Sequence, residues 1–458
     1  MTTPFSTLPL KEELLSTLDS LGYSSMTQIQ EQALPMVLAG KDVIGQGKTG
    51  SGKTAAFGLG VLSNLNVKRF RVQSLVLCPT RELADQVAKE IRTLARGIHN
   101  IKVLTLCGGM PMGPQIGSLE HGAHILVGTP GRILDHLVKG RINLDELNTL
   151  VLDEADRMLE MGFQEALDEI IGQAPADRQT LLFSATFPTE IKSIADRIMR
   201  NPELVKVEST HQTTSIAQKF YQVESTEQRD EVLESLLLTY KPESSVVFCN
   251  TKREVQNVTD ELHHKGFSVI ELHGDMEQRE RDQALIQFAN KSVSILVATD
   301  VAARGLDVDN LDAVFNFELT RDPEVHVHRI GRTGRAGSKG IAFSFFTEKE
   351  QYRVARIEEY MDIEVKPEAL PEKIYEKPFY APMVTIQILG GKKAKIRPGD
   401  IIGALTKEAG IDFNKIGKIN VKAMQSYVAV EHSVVKVAMK QLSNGRLKGK
   451  PSKARVLK

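Results

Sequence analysis

Four stretches early in the chain are short and apolar almost without interruption: Ser74-Leu75-Val76-Leu77-Cys78, Ile125-Leu126-Val127-Gly128, Leu150-Val151-Leu152 and Thr180-Leu181-Leu182-Phe183-Ser184. A strand with one wet face alternates apolar and polar side chains, whereas a strand covered on both faces drops the alternation. Helix-length amphipathic stretches separate these runs, and helices are what cover both faces of a parallel sheet. The chain is thereby constrained to an α/β fold on parallel strands. The pattern restarts beyond residue 215 with Ser245-Val246-Val247-Phe248-Cys249, Ser294-Ile295-Leu296-Val297-Ala298 and Ile341-Ala342-Phe343-Ser344-Phe345-Phe346. Two such sheets in tandem fit comfortably in a chain of 458 residues.

The polar run Glu208-Ser209-Thr210-His211-Gln212-Thr213-Thr214 reads as the linker between the two halves. A second linker, rich in proline and charge, covers residues 366–382 and contains Pro367, Pro371 and Pro378. The last 75 residues have a different rhythm. Val384-Thr385-Ile386-Gln387-Ile388-Leu389 is strand-like, residues 399–409 helical, 416–421 and 427–431 strands, 434–442 helical and 454–457 a strand. The order βαββαβ predicts a small RRM-like α+β sandwich.

The net charge of zero conceals an asymmetry. Residues 384–458 carry 16 Lys or Arg against 4 Asp or Glu, a net +12, which leaves the rest of the chain at −12. Such a split points to a polyanion-binding end or, more blandly, to a solvated basic tail. Apolar and charged contents of 41% and 25% are those of a soluble globular protein. No apolar run approaches the roughly 20 residues of a membrane span, and Met1-Thr2-Thr3-Pro4-Phe5 has neither the basic segment nor the apolar core of a secretory signal. Cys78, Cys107 and Cys249 include no CxxC pair, which argues against disulfides and zinc and for packing roles in a reducing cytoplasm.

Two motifs carry the chemistry. Gly47-Lys48-Thr49-Gly50-Ser51-Gly52-Lys53-Thr54 fits G-x-x-x-x-G-K-[ST], after the strand-like Val43-Ile44 and before the helix-like Ala55-Ala56-Phe57. Its glycines let backbone N–H groups close around phosphate oxygens at a helix N-terminus. Lys53 is expected to neutralise the β- and γ-phosphates and the Thr54 hydroxyl to ligate Mg²⁺. The second motif, Asp153-Glu154-Ala155-Asp156, directly follows the run Leu150-Val151-Leu152. Taken alone it could be a solvated acidic turn; paired with a phosphate loop it reads as a site for metal and water. Asp153 then holds Mg²⁺ through water, Glu154 orients and deprotonates the attacking water, and Asp156 joins a coupling network. His328-Arg329-Ile330-Gly331-Arg332-Thr333-Gly334-Arg335 offers arginines among glycines, either as a basic surface loop or, as that spacing favours, as an arginine finger for the γ-phosphate.

These residues resemble the DEAD-box RNA helicases over about residues 5–360. Phe5, Gly22-Tyr23 and Thr27-Gln28-Ile29-Gln30 are similar to the family's adenine-reading motif, with Gln30 on the base; Met26 and Gly47 stand where many members have Pro and Ala. The resemblance implies RNA-backbone contacts from Pro79-Thr80-Arg81-Glu82-Leu83-Ala84, Gly108-Gly109 and Thr129-Pro130-Gly131-Arg132, with Arg81, Thr129 and Arg132 as contacting side chains. It gives Ser184-Ala185-Thr186 the coupling of hydrolysis to strand separation. Phe248-Cys249-Asn250-Thr251, Gly274-Asp275 with Gln278 and Arg281, and the run from Ala298 to Asp307 continue the series, with Thr299 and Gly305 near RNA, Asp307 near the ribose, and Arg332 and Arg335 as fingers. The implied fold is two RecA-like parallel-sheet domains in tandem, residues 1–208 and 216–365, joined by 209–215. A linker, 366–383, then leads to an RRM-like domain, 384–458.

Gly390-Gly391-Lys392-Lys393-Ala394-Lys395-Ile396-Arg397-Pro398-Gly399-Asp400 resembles the terminal domain of a bacterial group within that family. This likeness implies docking on a hairpin of 23S ribosomal RNA in pre-50S particles and a role in large-subunit assembly. The aromatic platform of a standard RRM is missing, since Gln425-Ser426-Tyr427-Val428-Ala429-Val430 supplies only Tyr427. The expected contacts are instead Lys392, Lys393, Lys395 and Arg397, with Arg446, Lys448, Lys450, Lys453, Arg455 and Lys458 from the acid-free tail. The resulting reading is a cytoplasmic, ATP- and Mg²⁺-dependent helicase acting on RNA, with neither membrane nor DNA as partner. Its rivals are an ATP-gated RNA clamp that unwinds nothing and a DNA translocase.

Overall fold

The computed structural model describes residues 3–47, 50–187, 189–207, 216–303, 311–334, 340–444, 446–447 and 450–457. It divides into two compact units, Met1–His211 and Gln212–Lys458. The first holds seven strands: β1 Val43–Gln46, β2 Ser74–Leu77, β3 Val103–Leu106, β4 Ile125–Gly128, β5 Thr149–Asp153, β6 Gln179–Ser184 and β7 Glu203–Lys206. They form one parallel sheet in the order β3-β4-β2-β5-β6-β1-β7.

The apolar runs of the sequence are the interior strands of this sheet, and their side chains divide between two cores. Val76, Val151, Leu181 and Phe183 enter the core on one face, with Phe57, Val87 and Ile91 of the covering helices. Leu75, Leu77, Leu150, Leu152 and Leu182 enter the other, with Ile133, Met158 and Ile170. Burial on both faces is therefore the physical origin of the unbroken apolar runs.

The second unit repeats the design with β8 Ile216–Gln222, β9 Ser245–Cys249, β10 Val269–Leu272, β11 Ile295–Thr299, β12 Ala313–Asn316 and β13 Gly340–Phe346. The order is β10-β11-β9-β12-β13-β8, again all parallel. Val246, Phe248 and Leu296 face one core while Val247, Cys249 and Val297 face the other.

The same unit ends in a four-stranded antiparallel sheet of β14 Met383–Leu389, β15 Ile416–Val421, β16 Gln425–Glu431 and, after a short β17–β18 hairpin at Arg446–Leu447 and Lys450–Pro451, β19 Ala454–Val456. Its order is β15-β16-β14-β19, with the helices Pro398–Gly403 and Val435–Asn444 between strands as βαββαβ requires. Past Gly403 the first helix widens into a π turn, Ala404–Glu408.

Residues 366–382 contain no helix or strand, yet they lie against the second parallel sheet. The N–H of Glu368 donates to the Phe220 carbonyl at 2.7 Å, Phe379 packs edge-on to Phe267, and Lys241 pairs with Glu376 at 2.7 Å. This linker is a docked strap.

The antiparallel sheet also touches the second parallel-sheet domain. Tyr427 and Leu457 close on Ile286 in a small apolar cluster, and Asn290 donates to Thr385 Oγ1 at 3.1 Å and accepts from Asn420 Nδ2 at 3.0 Å. Tyr427, the lone aromatic of the expected platform, is 4% exposed and spent on this contact.

Candidate functional site

Doubly wound sheets bind ligands beyond the carboxyl ends of their strands. In the first unit those ends carry the phosphate loop after β1, Arg81 after β2, Gly108 and Gly109 after β3, Thr129 after β4, Asp153 closing β5 and Ser184 closing β6. Parallel pairing sets β1 directly beside β6: the N–H of Gly47 donates to the Ser184 carbonyl at 3.1 Å.

In the phosphate loop, Gly50 and Gly52 have φ of +84° and +95°, the left-handed region that only glycine enters without cost. A Cβ on Gly52 would stand 2.5 Å from Gln30 Nε2 and 2.7 Å from Thr27 Oγ1, so the close approach needs glycine as well. Lys53 opens the helix Lys53–Ser63, is buried, and donates to the Gly47 carbonyl. Thr54 follows it, half-buried. The buried Ser51 hydroxyl finds no hydrogen-bond partner among the described residues. An orphaned hydroxyl beside a loop closed around its own lysine is what a phosphate oxygen would satisfy.

Gln30 is buried, accepts from the Thr27 N–H at 2.8 Å and donates to the Gly52 carbonyl at 3.1 Å. The residue expected on the base is thus tied to the phosphate loop. Phe5 is buried and meets Tyr23 edge-on at 6.1 Å.

Asp153 is 3% exposed, and its carboxyl is raised to about 7, first by desolvation and then by the neighbouring Glu154, with Lys53 opposing. Glu154 has φ +51° and ψ +53°, a left-handed conformation that costs a non-glycine residue about 1 kcal/mol or more. It turns the chain from β5 into the helix Ala155–Glu160. Asp156 lies in the first turn of that helix and accepts from Thr186 Oγ1 at 2.8 Å and from the Thr186 N–H at 3.1 Å. Its own N–H points to Ser184 Oγ at 3.4 Å. The two expected coupling motifs are therefore in direct contact.

The expected RNA-facing residues of the first unit also gather. The N–H of Gly108 donates to Thr129 Oγ1 at 3.2 Å, and Arg132 donates to the Met110 carbonyl at 2.9 Å. Arg81 begins the helix Arg81–Leu94, capped by Thr80, with Asp85 at 3.8 Å. Burial pushes the thiols of Cys78, Cys107 and Cys249 up, that of Cys107 to about 12, so all three are inert packing groups.

In the second unit the arginines of the glycine-rich stretch are not alike. Arg329 is 2% exposed and bridges Asp300 (2.6 and 2.7 Å), Asn250 Oδ1 (2.9 Å) and the Glu318 carbonyl (2.6 Å). It ties the ends of β9, β11 and β12 together, a structural role that the sequence reading did not give it. Arg332 lies beyond the helix Pro323–Ile330, its carbonyl accepting from the Leu311 N–H at 3.1 Å. Thr299 closes β11. Thr49, Gly305, Asp307, Arg335, Lys448 and Lys458 lie outside the described residues, as do the side chains of Arg446 and Lys450.

In the terminal domain Lys392 and Lys393 sit on a single 3₁₀ turn that ends in Lys395 at φ +58°. Arg397 caps the next helix, its N–H donating to Asp400 at 2.8 Å. All four basic residues are exposed.

Comparison with known proteins agrees with this geometry. Three family models match in order: DEAD/DEAH box helicase over residues 27–194, helicase conserved C-terminal domain over 228–337, and DbpA RNA binding domain over 385–456. The chain is 54% identical over 457 residues to the ATP-dependent RNA helicase DbpA of Escherichia coli K12, covering all of both chains. It is 38% identical to the Bacillus subtilis protein of that name, over 98% of each chain. A solved structure of Saccharomyces cerevisiae Dbp5 bound to RNA and ADP BeF3 superposes with a TM-score of 0.73 at 31% identity, covering 80% of this chain and 95% of that one. The chain belongs to the DEAD-box ATP-dependent RNA helicases, as an RNA-dependent ATPase that carries a DbpA-type RNA-binding domain.

Proposed function

We propose that this helicase is anchored by its terminal domain on a hairpin of 23S ribosomal RNA in pre-50S particles, and that it separates short duplexes near that anchor during large-subunit assembly. The observation that carries the reading is the domain itself: residues 384–458 hold 16 basic and 4 acidic residues on an RRM-like sandwich. A cytoplasmic location follows from that substrate. No helix among the described residues is long and apolar enough to cross a membrane.

At the ATP site, Gln30 turns its amide to the base and Phe5 lies under it, while the N–H groups of residues 47–54 and Lys53 cradle the phosphates. Mg²⁺ would be held by Thr54 and, through water, by Asp153. The donor set fits this ion: the Thr54 hydroxyl in the first turn after the phosphate loop and the Asp153 carboxylate closing β5 are two oxygen donors, and Mg²⁺ prefers one or two protein oxygens completed by phosphate and water. When bound, the ion neutralises phosphate charge. Glu154 takes the proton of the attacking water, and Arg332 and Arg335 meet the charge that develops on the γ-phosphate. Asp307 holds the ribose. Asp156, joined to Thr186 and Ser184, passes the change at the catalytic carboxylates to the RNA-facing loops.

Glu154→Gln tests this assignment. The variant should bind ATP and RNA like the parent, hydrolyse at least 100-fold more slowly, and release RNA correspondingly late. RNA release at the parent rate would remove Glu154 from the base role.

A further inference from the structure

We propose that Gln115 and His136 are positioning residues for RNA binding: a buried relay from His136 through Gln115 to the Cys107 carbonyl sets the loop 107–111 in the shape that meets the RNA backbone. This rests on the reading of Gly108, Gly109, Thr129 and Arg132 as RNA contacts.

The loop leaves β3 and leads into the helix Met112–Leu119. Gly109 turns it with φ +71°, and nothing stands within 4 Å of where a Cβ on Gly108 would lie. A glycine loop of this kind has little of its own to hold one conformation. It is gripped instead from the helix Pro130–Val138. Thr129 occupies the N-cap of that helix without capping it through its side chain; its hydroxyl accepts from the Gly108 N–H at 3.2 Å. Arg132 donates to the Met110 carbonyl at 2.9 Å, and His136, four residues on, shares its face of the helix.

His136 reaches the loop through Gln115, and both side chains are buried. Gln115 Nε2 donates to the Cys107 carbonyl at 3.1 Å, and Gln115 Oε1 lies 3.2 Å from His136 Nε2. A carbonyl only accepts, so it fixes which end of the amide faces it. The oxygen left at the other end then requires the proton of the imidazole on His136 Nε2. Burial, then Arg141 and Arg132, lower the basicity of the ring and keep it neutral. Donation therefore runs one way, from His136 to Gln115 to the backbone directly before Gly108.

Packing alone does not account for this pair. His136 Nδ1 is buried and finds no hydrogen-bond partner among the described residues, a cost that an apolar side chain of similar size would not carry. What the imidazole supplies is the donor that holds the Gln115 amide in one of its two orientations. Flipped, the amide would set its oxygen against the Cys107 carbonyl. The loop is thereby held at Cys107, Gly108 and Met110. Thr129 and Arg132 supply the outer two of these bonds, whereas Gln115 and His136 lie beneath the surface and act on RNA only through the loop. A loop ordered before RNA arrives spares the binding step that ordering cost.

The test measures fluorescence anisotropy of a labelled single-stranded RNA without a hairpin, bound by the full-length protein in the presence of the ATP analogue ADP–BeF3. His136→Leu and Gln115→Met should each raise the dissociation constant about tenfold, the scale of one buried hydrogen bond. His136→Gln, which keeps an N–H donor at similar reach, should restore RNA affinity. Binding of a fluorescent ADP without RNA should stay parental in all three variants. In the Arg132→Ala background His136→Leu should cost less than it does alone, because both act on one loop. Parental RNA affinity in His136→Leu and Gln115→Met, no rescue by His136→Gln, full additivity with Arg132→Ala, or a matching loss of ADP affinity overturns the relay. Arg132→Ala with parental RNA affinity overturns the reading of these loops as RNA contacts.

Discussion

Asp153→Asn should stabilise the first unit, and by an amount that grows with pH. The carboxyl titrates at about 7 in the fold because burial and Glu154 oppose its charge; in an unfolded chain it titrates at about 3.9. A folded value above the unfolded one means stability that is full below about 3.9 and is lost as pH rises through about 7. The difference of roughly three pH units corresponds to about 4 kcal/mol, an upper bound because relaxation and water screen buried charge. For a unit of this size each kcal/mol moves the melting temperature by about 2–4 °C. Calorimetry without nucleotide should therefore place the variant roughly 10 °C above the parent at pH 8, with most of that gap gone at pH 4. A gap that is constant with pH, or that widens toward acid, would refute the claim that Asp153 is held against its charge.

Two further outcomes follow from the hydrogen-bond networks. Arg329→Ala leaves the Asp300 carboxylate and Asn250 without their buried partner and should destabilise the second unit by about 3 kcal/mol; an unchanged melting profile would show the bridge to be dispensable. Thr186→Val removes the hydroxyl that donates to Asp156 while keeping side-chain volume, and should retain ATP binding but lose strand displacement on a tethered duplex. Parental unwinding would disconnect that contact from coupling, and ATP-gated RNA retention without unwinding in the parent protein would favour a clamp.

How much of this was legible beforehand depended on where burial left a mark in the sequence. Interior strands such as β5 and β6 are covered on both faces, and their unbroken apolar runs announced them. Strands β3, β7 and β10 are four-residue edges with partly exposed side chains, and runs such as Glu203-Leu204-Val205-Lys206 carry too little periodicity to stand out. The βαββαβ order was visible because each element keeps its own period. The cover over Tyr427 was not, since Ile286 lies in another domain and no local pattern pairs them. Composition likewise marked residues 366–382 as a linker, but the bond from Glu368 to Phe220 that docks it is purely tertiary. The phosphate loop and the carboxylates were legible by spacing, because backbone geometry permits few sequences there. Among the arginines spacing was silent: the resemblance gave the finger role to Arg332 and Arg335, and the bridging role of Arg329 came only from its burial and partners.

The central claim is that RNA recognised by the terminal domain drives the ATPase core. Steady-state ATP hydrolysis by the full-length protein, titrated with a 23S ribosomal RNA fragment containing the hairpin and with unrelated RNA of equal length, tests it directly. Half-maximal stimulation should come at a concentration at least tenfold lower for the ribosomal fragment, and Lys392→Ala/Lys393→Ala should raise that concentration. Equal stimulation by both RNAs in the parent protein would contradict it.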